Sequence, residues 1–243
     1  YSEATKTYYR RDNPQRSVLP HLEGAFETLQ RLRVPVEFLL SEMDLNLETL
    51  KKFKVVVLPN TAILSQPQVE ALRQYVKEGG SILATYETSL YDDVGEKKEN
   101  FDLTDVLGLK YVESRGGMWA QGSPDGDGAY LALTGDFLRP LQDLLAPYQN
   151  SNLFISGPAI ITQPSAGISK ATLVPQGAIS TYVKNHPTGI PVVHVNQFGQ
   201  GKAAYISAPL FKLIKIPQIT DGATFPQKSH LMTPFARRDG WVV

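Results

Sequence analysis

Cysteine is absent from all 243 residues, which excludes a disulfide, a thiolate metal site and a cysteine nucleophile while leaving the compartment undetermined. An excess of charge is also absent. Lys plus Arg and Asp plus Glu stand at 24 each with no long like-charge block, so neither a nucleic acid nor an anionic membrane is an expected partner. No apolar run approaches the roughly 20 residues that span a bilayer, and the chain is expected to be soluble. Histidine is scarce. His21, His186, His194 and His230 show no H-x-H or H-x-x-x-H spacing, so structural roles are expected and no metal or cofactor. What is present is 42% hydrophobic composition, enough for one large domain or two small ones. Small neutral or polymeric ligands stay open. The chain starts at Tyr1 without an initiator methionine or a signal-like segment, and is expected to be a processed product or an excised piece, with localisation undetermined.

Lys54 to Asp93 carries the clearest pattern. Val55, Val56, Val57 and Leu58 form a short continuous run, as for a strand covered on both faces, and Pro59-Asn60 ends it. Val69, Leu72, Tyr75 and Val76 then fall on one stripe of a helix with Pro67 near its start and Gly79-Gly80 past its end. Ser81 to Thr85 returns to strand. Two strands joined by a helix predict a right-handed βαβ unit, whose ligands lie beyond the carboxyl ends of the strands, at Asn60-Thr61 and Tyr86 to Asp93.

Upstream, Leu19, Leu22, Phe26 and Leu29 share one helical face, predicting a sheet-covering helix over 17–33 that ends at Val34-Pro35. Val36, Phe38 and Leu40 alternate as a strand, and Leu47 to Lys52 reads as a short helix, making a second βαβ unit. Downstream come a polar loop at 95–100, a helical turn at 103–107 and a short strand at 110–113. Gly- and Pro-separated strands follow at 130–133, 153–156, 171–174, 191–197 and 203–207. The last two predict a hairpin turning on Gly199 and Gly201. No element is expected over 215–243.

Candidate chemistry centres on Glu87, Asp92 and Asp93, interleaved with Thr88, Ser89 and Tyr91. Paired carboxylates can hydrolyse glycosides when they flank the bond, whereas Asp and Ser in a loop more often cap backbone groups. Asp125-Gly-Asp127-Gly128 is half a calcium loop without its closing Glu, and reads as a turn. The opening SEATKT is Ser/Thr-rich like a phosphate-cradling loop but lacks the glycine that lets backbone approach a phosphate. Trp119, in a glycine-rich loop, can stack on a sugar, sit in an interface or anchor its own loop.

Four stretches carry a resemblance: KVVVLPN at 54–60, YVKEGGSILATYETSLYD at 75–92, FDLTDVLGLKY at 101–111 and GIPVVHVNQFGQGKAAYIS at 189–207. Together they resemble the β-galactosidase trimerisation domain of family 42 glycoside hydrolases, and more closely the corresponding domain of a related group of bacterial glycosyl hydrolases, from about Tyr1 to about Leu210. The resemblance implies an α/β, flavodoxin-like (class I glutamine-amidotransferase-like) three-layer sandwich with a parallel central sheet and a C-terminal β-hairpin extension. It implies a domain over 1–214, with Tyr1-Ser2 at the end of its first strand, and a tail over 215–243. Amidotransferase-like folds set a cysteine after a central strand, near Thr85-Tyr86, and no cysteine exists here. Ser89 lacks a G-x-S-x-G elbow.

The expected function is therefore a non-catalytic domain of a multidomain glycoside-hydrolase-like protein. It would mediate homo-oligomerisation beside an upstream (β/α)8 barrel and shape a neighbouring active site. Asn60, Thr61, Glu87, Ser89, Tyr91, Asp92 and Trp119 are the candidate ligand or interface residues. Two alternatives stay open: a carbohydrate-binding module using Tyr86–Asp93 and Trp119, and a stand-alone hydrolase using Glu87 with Asp92 or Asp93.

Overall fold

The computed structural model describes residues 1–12, 18–115, 128–133, 153–156, 158–173 and 190–214. In chain order the elements are α1 (Glu3–Asp12), α2 (Leu19–Arg31), α3 (Ser41–Asp44), α4 (Leu47–Leu50), β1 (Val55–Leu58), α5 (Gln66–Lys77), β2 (Ser81–Thr85) and α6 (Thr104–Leu107). There follow β3 (Leu109–Arg115), β4 (Gly128–Leu133), β5 (Leu153–Ser156), β6 (Ala159–Pro164), β7 (Ile168–Leu173), β8 (Pro191–Phe198), β9 (Gly201–Ile206) and α7 (Leu210–Ile214).

The βαβ unit predicted from Lys54 to Thr85 is present. β1 pairs in parallel with β2, Val55 beside Ser81 and Leu58 beside Ala84. Between them α5 starts where the Ser65 N–H donates to Gln68 Oε1 at 2.8 Å and buries the stripe Val69, Leu72, Tyr75 and Val76. These side chains meet Val56, Leu58, Ile82, Ala203 and Tyr205 in one core. Gly80 N–H bonds to Tyr75 O at 3.0 Å and closes the helix.

The sheet is mixed, which corrects the expected parallel one. Among the described residues seven strands run β1-β2-β9-β8-β7-β4-β5, and only β1, β2 and β9 of these are mutually parallel. The β8–β9 hairpin, with Gly199 at φ 61°, reverses the chain inside the same sheet, and every later neighbour is antiparallel. The hairpin is thus part of the central sheet and not an appendage to it. β3 and β6 form a separate antiparallel pair.

Gly201 is fixed by contact. A Cβ there would lie 2.0 Å from Gly80 O and 2.3 Å from Val76 O, both backbone atoms that cannot swing away. Gly201→Val is expected to cost about 2–3 kcal/mol through overpacking, read as a lower urea midpoint at constant m-value. A change below about 0.5 kcal/mol, the size of an ordinary surface substitution, would contradict this packing.

SEATKT, already short of the glycine a phosphate loop needs, opens helix α1, whose first amides, Glu3 N–H and Ala4 N–H, donate to Glu42 Oε1 at 2.9 and 3.2 Å. Two expectations about the N-terminal third are corrected. Residues 36–40 take no regular secondary structure and join no ladder among the described residues, so the second βαβ unit lacks a paired strand there. Helix α2 is where the periodicity placed it, but its buried residues are His21, Gly24 and Ala25. A Cβ on Gly24 would stand 1.9 Å from Phe211 O, so α2 presses on α7 through its small residues and leaves Leu22, Phe26 and Leu29 half-buried. No helix among the described residues is long and apolar enough to cross a membrane.

Candidate functional site

The carboxyl ends of β1 and β2 bring Asn60, Thr61, Glu87, Ser89 and Tyr91 together, as the topology rule predicts. Three non-glycine residues here hold left-handed backbone: Asn60 (φ 57°), Tyr86 (φ 55°) and Ser89 (φ 64°). Each such residue costs on the order of 1–3 kcal/mol and persists only where its surroundings over-determine it. Those surroundings are specific. Asn60 N–H donates to Thr85 Oγ1 at 3.0 Å, Ser89 N–H to Thr61 O at 2.9 Å, and Tyr86 N–H to Ile206 O at 2.8 Å, continuing the β9 ladder. Thr88 Oγ1 donates to Thr85 O at 2.7 Å and accepts from Thr61 N–H at 3.2 Å, locking one loop to the other.

Glu87 sits at the centre, 8% exposed. Its Oε1 accepts from Tyr91 OH at 2.9 Å and its Oε2 from Tyr9 OH, while its own N–H donates to Asn60 Oδ1 at 3.2 Å. Burial, then the Glu87 charge, pushes the Tyr9 and Tyr91 phenols up, so both stay protonated donors. Tyr205, also pushed up by burial first, donates to Tyr86 O at 2.5 Å from beneath the loop.

His21 closes the site from α2. Its ring stacks on Tyr86 with centroids 6.3 Å apart, and its Nε2 stands 3.4 Å from Asn60 Nδ2. An amide nitrogen can only donate, so Nε2 is the acceptor and the proton sits on Nδ1, which has no partner among the described residues. Burial, with Lys212 as a second cause, lowers the imidazole from 6.5 to about 3.

The geometry assigns scaffold roles to these groups. Both Glu87 oxygens are committed to phenols. Asp92 turns to its own loop, its Oδ1 accepting from Val94 N–H at 3.1 Å and Glu96 N–H at 2.7 Å, and Asp93 is exposed. Ser89 is buried, with its hydroxyl unpaired among the described residues. No group of three or more potential metal-ligating side chains gathers among the described residues. Trp119, Asp125, Asp127, His186 and His230 lie outside them. His194 is a core residue whose Nε2 meets Ala166 O at 2.6 Å. Tyr9 and His21 are the members that the loop pattern missed, because each arrives on a helix from far along the chain.

Comparison with solved structures gives the same fold at low identity. A catalytic mutant of Gan42B, a GH42 β-galactosidase from G. stearothermophilus, is 17% identical with a TM-score of 0.56, over 79% of this chain and 24% of that one. The β-galactosidase from Bacillus circulans sp. alkalophilus is 16% identical with a TM-score of 0.59, over 81% and 26%. That from Rahnella sp. R3 is 18% identical with a TM-score of 0.57, over 83% and 28%. This chain therefore spans about a quarter of the length of the proteins it matches. The sequence pattern of the β-galactosidase trimerisation domain matches residues 2–123, half of the chain and all of the strand-end loops described above, and the chain belongs to that family.

Proposed function

We propose that this chain is a subunit-assembly domain of a larger glycoside hydrolase, non-catalytic itself and joined to a (β/α)8 barrel that carries the chemistry. The observation that supports it most is the state of Glu87: the one buried carboxyl at the strand ends among the described residues has both oxygens bound by tyrosines of its own scaffold. A hydrolytic pair needs two carboxyl groups facing a shared bond about 5–10 Å apart, and Asp92 is instead spent on its own turn. The finer fold reading, class I glutamine-amidotransferase-like, draws support from Tyr86. Its left-handed backbone directly after β2 is the sharp turn on which such folds present a nucleophile, here without a thiol. The exposure of Val94, 64% on the turn that Asp92 holds, supports a reading in which this rim meets a neighbouring domain and shapes its active site.

Light scattering on the parent protein tests the assembly role. The intact protein is expected to give a trimer mass, and deletion of this domain a smaller oligomer or monomer. An unchanged oligomeric state after deletion would overturn it.

A further inference from the structure

We draw no further inference here: the strongest candidate, the apolar groove beside β1 that is lined by Leu22, Phe26 and Leu29 of α2 and by residues 34–39, carries none, because nothing in the structure shows what covers it.

Discussion

Glu87→Ala is expected to lower the unfolding free energy by about 3–5 kcal/mol, because it strands two buried phenol hydroxyls at about 1–3 kcal/mol each and leaves a cavity. Tyr9 and Tyr91 are themselves buried, and neither can turn its hydroxyl to water without leaving the core. Tyr9 keeps Asn60 Nδ2 as a donor to it at 3.0 Å, but its own proton has no other acceptor as near as Glu87. The loss should be felt in α1 above all. That helix is held to the strand ends by Tyr9 on Glu87, by Thr5 Oγ1 accepting from Ile63 N–H at 3.2 Å, and by the Tyr8 ring 4.7 Å from that of Tyr91. Urea unfolding at constant m-value gives the magnitude. A loss under about 1 kcal/mol, the net worth of one ordinary hydrogen bond, would show that the carboxyl does not carry the network. Glu87→Gln separates scaffold from catalysis, since it keeps one acceptor oxygen and should cost less than half as much. If the Gln variant folds and assembles as the wild type does while any glycosidase activity of the parent is abolished, the scaffold reading of Glu87 is wrong.

The parts of this fold legible in the sequence are those whose pattern and packing partner lie close together. The run Val55–Leu58, the α5 stripe and Ser81–Thr85 sit within one unit, so periodicity alone located them and the topology rule then located Asn60, Glu87 and Tyr91. Where long-range contact decides, pattern failed. Helix α1 offers only Ala4, Tyr8 and Tyr9 as apolar contacts, and its start is fixed by Glu42 from another helix. β6 went unnoticed because AIITQP shows no clean alternation and ends in proline, yet it pairs along the whole of β3. On α2 the apolar stripe was read correctly and its burial wrongly. The tightest face is built from Gly24 and Ala25, which a hydropathy scale weights little but which let the α7 backbone come close. Residues 36–40 show the converse, a strand-like alternation in sequence that pairs with no strand among the described residues.

His21 should make this domain acid-labile, with a sign fixed by its burial. The native imidazole is lowered from 6.5 to about 3, so between those values the unfolded chain binds a proton that the native chain refuses. Stability contributed in this way is fully present above about pH 6.5. It falls as the pH drops, by up to about 1.36 kcal/mol per unit for this one group, and levels near pH 3 where native His21 protonates. The ceiling is about 5 kcal/mol, a large share of the 5–15 kcal/mol that holds a typical domain. His194, lowered chiefly by burial, acts in the same direction, so the His21 share has to be read as a difference between proteins. His21→Leu keeps an apolar side chain under Tyr86 and removes the titrating ring, at the cost of one Asn60 contact. Wild-type stability minus that of the variant, measured by urea unfolding from pH 4 to pH 6, should rise with pH by about 1.36 kcal/mol per unit, one proton's worth. Parallel profiles would mean that the native site accepts the proton, although His21 Nδ1 has no partner there among the described residues. Because the same histidine braces both strand-end loops, acid should release Asn60 and Tyr86 before α5, and amide exchange at pH 5 should show the loops opening first.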